Sequence, residues 1–183
     1  MARIILITGG SRSGKSEYAQ RLAEALPGQR VFVATCPPLD EEMRDRIRRH
    51  QQARARSDWH TIEETINLVD ALGDAANYDV VLVDCLTLWV NNLMFQAEQE
   101  HKEMTEETIS SHTHELIAAC HRFSGTTILV TNEVGMGIVP GDPVSRRFRE
   151  LAGRCNQAMA AAAHEVTLVV CGLPLHLKQG DRA

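Results

Sequence analysis

Features of membrane-spanning, secreted and disulfide-bonded proteins are missing from this 183-residue sequence. No apolar stretch approaches the roughly 20 residues that a membrane-spanning helix needs. The apolar run at residues 4–7 is too short for the core of a signal peptide, and two glycines follow it directly. The five cysteines are odd in number and form no C-x-x-C pair, which favours reduced thiols that fill a core over disulfides or a zinc site. We therefore expect a cytoplasmic protein without a membrane span.

Aromatic residues and excess positive charge are also scarce. Only 4% of the residues are aromatic, and the formal net charge is −5. Proteins that bind nucleic acid commonly combine a basic surface with aromatic side chains on which bases stack. We therefore expect no nucleic-acid partner, and any anionic ligand must be bound locally. Hydrophobic residues make up 44% of the chain, which is typical of a globular protein and unlike a disordered one.

Short runs rich in β-branched residues alternate with segments of helical period. The predicted strands are Arg3–Thr8, Arg30–Thr35, Val80–Asp84, Thr126–Thr131 and Glu165–Cys171, and the predicted helices are Lys15–Leu26, Asp40–Arg54, Glu63–Leu72, Leu86–Gln99, Thr105–Phe123 and Pro143–Ala163. This alternation predicts an α/β fold with a mostly parallel central sheet flanked by helices. No long linker or repeat interrupts it, so we expect residues 1–183 to form a single domain. Ligands are expected beyond the carboxyl ends of the strands.

The first strand end carries a phosphate-binding motif. Its residues, Gly9, Gly10, Ser11, Arg12, Ser13, Gly14, Lys15 and Ser16, match G-x-x-x-x-G-K-[ST]. A predicted strand precedes the motif and a predicted helix follows it, which is the context of a P-loop NTPase of the RecA-like type. Backbone amides of the loop and of the helix start would bind phosphates. Lys15 is expected to reach the β- and γ-phosphates, and the Ser16 hydroxyl is expected to bind Mg²⁺.

A carboxylate ends another predicted strand. Four apolar residues lead directly into Asp84, and P-loop enzymes place an acidic residue near the metal in such a position. Asp84 is therefore a candidate metal ligand. The alternative is that it caps the helix predicted to begin near Leu86.

The segment 40–56 carries six arginines and four acids, so it is basic within an acidic chain. Arg46, His50 and Arg54 are spaced four apart and would share one helical face. Two cations beside an imidazole favour its neutral form, and a neutral imidazole beside bound phosphates can attack phosphorus. The alternative is a solvated histidine without catalytic function, which we also expect for the other seven histidines.

Several segments together resemble one known family. They are the phosphate loop, Ala34-Thr35-Cys36, Arg46–His50, Asp84–Thr87 and Leu129–Pro140, in matching order and spacing. The chain resembles the bifunctional adenosylcobinamide kinases / adenosylcobinamide-phosphate guanylyltransferases of cobalamin biosynthesis, from Ile4 to about Leu177. The stretch Thr131–Pro140 and the histidine segment are more specific than the phosphate loop alone.

The resemblance implies two reactions and a set of site residues. ATP or GTP phosphorylates the aminopropanol hydroxyl of adenosylcobinamide, and GMP from GTP then passes through a histidine to that phosphate. His50 matches the histidine, although some members have two adjacent histidines where this chain has Arg49-His50. Some members have Glu where this chain has Asp84. The family also implies a homotrimer. The implied GTP contacts are Gly9–Ser16, Ala34, Thr35, Cys36, Gln51, Gln52, Ala53, Arg54, Glu63 and Asp84.

Alternatives remain at this stage. The chain is either this bifunctional enzyme, a P-loop kinase of another small metabolite with an inert His50, or a non-catalytic RecA-like nucleotide switch. Glu133 either helps to hold the metal or the corrinoid arm, or it braces its own loop. The arginines of the helix at 143–163 are expected to form salt bridges or subunit contacts.

Overall fold

A computed structural model describes residues 2–37, 41 and 59–180. No helix in this part of the chain is long and apolar enough to cross a membrane. Apart from Glu41, the helix predicted over 40–54 lies outside the described residues. The strands and helices are β1 (Arg3–Gly9), α1 (Lys15–Glu24), β2 (Arg30–Ala34), β3 (Trp59–Glu63), α2 (Leu68–Asp74), β4 (Val80–Asp84), α3 (Leu86–Gln99), α4 (Glu106–Arg122), β5 (Thr126–Val130), α5 (Pro143–Ala162), β6 (Glu165–Val170) and β7 (Leu173–Lys178).

The seven strands form one sheet in the order β3-β2-β4-β5-β1-β6-β7. All neighbouring pairs are parallel except β6 and β7, which are antiparallel. The central strands are nearly continuous apolar runs because a parallel sheet is covered on both faces. This confirms the predicted α/β fold with a mostly parallel sheet.

Successive side chains of each strand point to opposite faces of the sheet, so the strands contribute to two apolar clusters. In β1, Ile4 and Leu6 belong to a cluster with buried residues of α2, α3, α4 and α5. Ile5 and Ile7 belong to the other cluster, with Ala19 of α1. Helices therefore cover both faces, and α1 carries the end of the phosphate loop against the face opposite the other four helices.

The sequence prediction missed β3 and β7. Residues 63–72 were predicted as one helix, which is wrong: β3 ends at Glu63 and α2 begins at Leu68. The strand β3 is an edge strand that is only partly buried, so it lacks the continuous apolar run that predicted the central strands. Every residue of β7 is exposed. This strand follows a tight turn in which Cys171 and Gly172 have φ values of 52° and 79°.

Candidate active site

Three adjacent strands, β4, β5 and β1, end in polar segments at one edge of the sheet. In the register, Asp84 of β4 pairs with Val130 of β5, and Val130 pairs with Ile7 of β1. The loop that begins at Gly9 and the segment that follows Val130 are therefore neighbours. The strand β5 separates the strand of the phosphate loop from the strand of Asp84, and the predicted site lies across these three ends.

Glycine is required sterically at the start of the phosphate loop. A Cβ atom on Gly9 would lie 2.5 Å from the Val169 carbonyl oxygen and 2.6 Å from the Ser13 Oγ. The loop is closed by a hydrogen bond of 3.3 Å from the Ser13 amide to the Gly10 carbonyl. Gly14, with φ of 92°, then starts α1. Because the first amides of a helix have no acceptor within it, this end of α1 is suited to bind an anion.

The Lys15 ammonium group lies against this loop. The side chain is only 8% exposed, and its Nζ donates to the Gly10 carbonyl over 3.1 Å. Ser13 is also buried, and neither its Oγ nor the Oγ1 of Thr8 has a hydrogen-bond partner among the residues that the structure describes. Buried hydroxyls without partners are costly. A phosphate group at the loop would supply an acceptor for the Ser13 hydroxyl, so the loop fits a phosphate ligand.

The charges of Asp84 and Lys15 both affect the pKa of one buried thiol. Burial is the main reason why the pKa of Cys85 is raised to about 11; the negative charge of Asp84 adds to this increase, and the positive charge of Lys15 opposes it. Cys85 therefore stays a protonated thiol at neutral pH and is not a nucleophile.

The hydroxyl of Thr35 fixes the segment that follows Asp84. It accepts a hydrogen bond of 2.6 Å from the Cys85 amide and donates one of 2.8 Å to the Cys85 carbonyl. The Asp84–Cys85 peptide bond is cis. Asn92 of α3 donates to the Thr35 carbonyl over 2.9 Å. Thr35 thus joins β2 to the junction between β4 and α3, and this role did not emerge from the sequence.

Some of the other predicted nucleotide contacts lie within the described residues, and the rest lie outside them. In the sheet, Ala34 pairs with Asp84 on one side and with Glu63 on the other, so these three residues form one row at the carboxyl edge. Cys36 follows β2 and is half-buried. Gly10, Ser11 and Arg12 form the exposed tip of the phosphate loop. The predicted nucleophile His50 and the predicted contacts Gln51, Gln52, Ala53 and Arg54 lie outside the described residues.

Glu133 is tied to the phosphate loop through its backbone. Its amide donates to the Gly9 carbonyl over 3.0 Å, and its carboxylate accepts a hydrogen bond of 2.6 Å from the Gly135 amide. Of the two functions weighed for Glu133, this geometry favours bracing of its own loop.

Four arginines of α5 divide into two pairs. Arg147 and Arg154 form salt bridges with Glu103 and Glu106, as the sequence predicted. Arg146 donates to the carbonyls of Pro140 and Gly141, and Arg149 donates to that of Gly135. The second pair therefore holds the loop between β5 and α5.

Cysteine burial matches the sequence interpretation in three of five positions. Cys85, Cys120 and Cys155 are buried, and burial raises the pKa values of Cys120 and Cys155 to about 12 and 11. Cys36 is half-buried and Cys171 is exposed, so the expectation that all five fill the core was wrong. Cys171 lies in the turn before β7, a strand that was not predicted. The next residue, Gly172, donates to the Ser13 carbonyl over 2.8 Å and so supports the phosphate loop.

Oxygen atoms are the available metal donors at this edge. The described ranges contain no group of three or more His, Cys, Asp or Glu side chains arranged to hold a metal. Magnesium commonly uses one or two protein oxygens together with water and substrate phosphates. A hydroxyl at the start of α1 (Ser16) and a carboxylate at the end of β4 (Asp84) match that chemistry.

Comparison with known proteins decides the family. The family model described as cobinamide kinase / cobinamide phosphate guanyltransferase matches residues 5–177. The chain belongs to this family. The match confirms the resemblance found from the sequence, and the phosphate loop at the edge of a mostly parallel sheet is the fold expected of the cobinamide kinase / guanyltransferase family.

Curated members of this family resemble the chain over nearly its full length. The bifunctional adenosylcobalamin biosynthesis protein CobU of Escherichia coli is 44% identical, over 96% of this chain and 99% of that protein. CobU of Salmonella typhimurium is 43% identical over the same shares. The bifunctional adenosylcobalamin biosynthesis protein CobP of Pseudomonas aeruginosa is 40% identical, over 94% of this chain and 96% of that protein.

Replacement of the buried lysine tests the phosphate loop. We expect Lys15→Ala to weaken binding of a nucleoside triphosphate by roughly ten- to a hundredfold, because a hydrogen bond to a charged group contributes about 1.5–3 kcal/mol. Isothermal titration calorimetry measures the loss. Lys102→Ala is the matched control, since Lys102 is exposed and pairs with Glu100. Equal affinities for the two variants would contradict the assignment of the loop.

Proposed function

We propose that this chain is a bifunctional enzyme of cobalamin biosynthesis that acts twice on the same corrinoid. In the first reaction, ATP or GTP phosphorylates the hydroxyl of the aminopropanol arm of adenosylcobinamide. In the second, GMP from GTP is transferred to that phosphate, which gives adenosylcobinamide-GDP and pyrophosphate. The observation that carries the proposal is the phosphate loop with its buried lysine, in a chain that matches this family from residue 5 to 177.

The phosphate loop would serve the kinase reaction by positioning and by charge. Lys15, the hydroxyl of Ser13 and the first amides of α1 would hold the transferred phosphoryl group and stabilise the charge that develops on it. Phosphoryl transfer needs little covalent participation from the protein. These groups are fixed by the fold before the ligand binds, so little reorganisation is needed at the moment of transfer.

Ser16 and Asp84 would hold a magnesium ion in this reaction. When bound, Mg²⁺ neutralises charge on the phosphate oxygens and on the leaving group. The support is the oxygen chemistry of the two side chains and the position of their elements, which end or begin at the same edge of the sheet. Ser16 would place its hydroxyl from the first turn of α1, and Asp84 its carboxylate from the end of β4.

His50 would carry the transferase reaction as a nucleophile. Its imidazole would attack the α-phosphorus of GTP and displace pyrophosphate, and the phosphate of the corrinoid would then displace the histidine. Two steps through a covalent intermediate replace one direct transfer between polyanions. The support is the arginine-flanked sequence around His50 and the family match. The further GTP contacts proposed here are Gly9–Ser16, Ala34, Thr35, Cys36, Gln51, Gln52, Ala53, Arg54, Glu63 and Asp84.

We also propose that residues 1–183 form a single domain that assembles as a homotrimer in the cytoplasm. Free cysteines are typical of a reducing compartment. The described surface exposes Phe95 and Val144 at one groove, and Leu173, Leu175 and Leu177 along β7. Apolar groups of this extent commonly mark contact surfaces. Sedimentation equilibrium is expected to give the mass of three chains, and a monomer at micromolar concentration would contradict the trimer.

Labelled GTP tests the transferase proposal. We expect GTP labelled at the α-phosphate to leave an acid-labile, base-stable adduct on the protein, because a phosphorus–nitrogen bond to histidine forms. His50→Ala should lose the adduct and keep kinase activity. His114→Ala is the matched control, since His114 is exposed on α4, and it should retain the adduct.

Two results would contradict this proposal. An adduct of undiminished yield in His50→Ala would show that a residue other than His50 is the nucleophile. Label that enters the corrinoid only from the γ-phosphate, with no transfer from the α-phosphate, would leave a kinase without the second activity.

A further inference from the structure

Thr131 and Asn132, which follow β5, form a closed ring of hydrogen bonds with Thr87 of α3 and Asn156 of α5. The Asn132 amide donates to the Thr87 Oγ1 over 2.6 Å, and the Thr87 and Thr131 hydroxyls lie 3.1 Å apart. The Thr131 hydroxyl donates to the Asn156 Oδ1 over 2.7 Å. The Asn156 Nδ2 donates to the Asn132 carbonyl over 3.0 Å, which completes the ring.

The donors in this ring fix its direction. The single proton of the Thr131 hydroxyl is used toward Asn156, so Thr87 must donate to Thr131. Each member then donates one hydrogen bond and accepts one, and every bond supports the next. Thr87 and Thr131 are buried, with 6% and 1% exposure. Loss of one hydroxyl would leave buried partners unsatisfied, so the ring holds its members in one arrangement.

The ring holds both backbone polar groups of Asn132, and the next residue is anchored to the phosphate loop. The Asn132 amide and carbonyl are both ring members, and the Glu133 amide donates to the Gly9 carbonyl over 3.0 Å. Asn132 is therefore held beside the loop, at the end of the strand that separates β1 from the strand of Asp84.

The side chain of Asn132 leaves an acceptor without a donor. Its Oδ1 is buried and has no hydrogen-bond partner within residues 2–37, 41 and 59–180. Phosphate oxygens of a nucleotide are acceptors and cannot satisfy it. A hydroxyl group brought by a substrate can, because it carries a proton to donate. A kinase that uses this phosphate loop must bring such a hydroxyl to the γ-phosphate.

We propose that Asn132 contacts the hydroxyl group that accepts the phosphoryl group, and that Thr87, Thr131 and Asn156 are positioning residues for it. The inference rests on the proposed kinase function. The hydroxyl oxygen forms a bond to the γ-phosphorus, the bond from that phosphorus to the bridging oxygen breaks, and its electron pair leaves with the nucleoside diphosphate. The hydroxyl proton leaves to solvent. The neutral amide of Asn132 orients the hydroxyl and takes no proton.

Two substitutions of Asn132 test the contact, with adenosylcobinamide and a γ-labelled nucleoside triphosphate. Asn132→Leu removes the acceptor and should lower kcat/KM for the corrinoid by about tenfold or more, while KM for the nucleotide stays within about threefold. Asn132→Asp keeps an acceptor of similar size and should retain more of the corrinoid kcat/KM than the leucine variant. A large rise in nucleotide KM for the uncharged Asn132→Leu variant would overturn the inference, because the amide would then face phosphate. A raised magnesium requirement in Asn132→Leu would also overturn it.

The positioning function is tested at Thr87 with a matched control. Thr87→Val should lower kcat for corrinoid phosphorylation by about tenfold with nucleotide affinity unchanged, and Thr87→Ser should restore it, since the hydroxyl completes the ring. Thr113→Val is the control, because Thr113 is fully buried and its hydroxyl donates to the Ile109 carbonyl of its own helix over 2.7 Å, outside the ring. A loss of kcat in Thr113→Val as large as in Thr87→Val would contradict the positioning function, because the ring would then act only by stabilising the fold.

The kinase activity of the wild-type chain distinguishes failure of this inference from failure of the proposed function. If the wild type transfers no phosphoryl group to adenosylcobinamide, the proposed function and the inference both fail. If the wild type is active and Asn132→Leu matches it in kcat and in KM for the corrinoid, only the inference fails.

Discussion

A chain of net charge −5 binds a triphosphate only where local groups supply positive potential, and this constraint shapes the site. The phosphate loop meets it with the start of α1 and the buried ammonium group of Lys15. Close packing makes the arrangement possible, since a side chain at Gly9 would collide with Val169 of the neighbouring strand. The anion site therefore depends on glycine at position 9, because the neighbouring strand of the parallel sheet packs against it.

The strand β5 links the parts of the site. It lies between the strand that ends in the phosphate loop and the strand that ends in Asp84. Beyond its end, Glu133 is bonded to Gly9, and Asn132 is held by residues that belong to α3 and α5. Helices on one face of the sheet thus fix the backbone of Asn132 at its edge. The proposed two reactions would use this edge because the groups that bind phosphate and orient a hydroxyl lie together there.

Much of the fold and of the candidate site could be predicted from the sequence where the signal is local. Long apolar runs predicted β1, β2, β4, β5 and β6, and spacing within eight residues predicted the phosphate loop. The edge strands β3 and β7 were missed because partial or complete exposure removes that signal. The ring around Asn132 joins residues 25, 44 and 45 positions apart, and no local pattern encodes such contacts. The function of His50 stays a prediction from its arginine-flanked sequence and the family resemblance.

Amide hydrogen exchange measures most directly whether the strand ends form one nucleotide site. The account predicts that magnesium and GTP together slow exchange at residues 9–16, where amides would bind phosphate oxygens. Slower exchange is also expected at Glu133 and Gly172, whose amides bond to that loop. Unchanged exchange at residues 9–16 under saturating nucleotide, with protection elsewhere in the chain, would contradict the account.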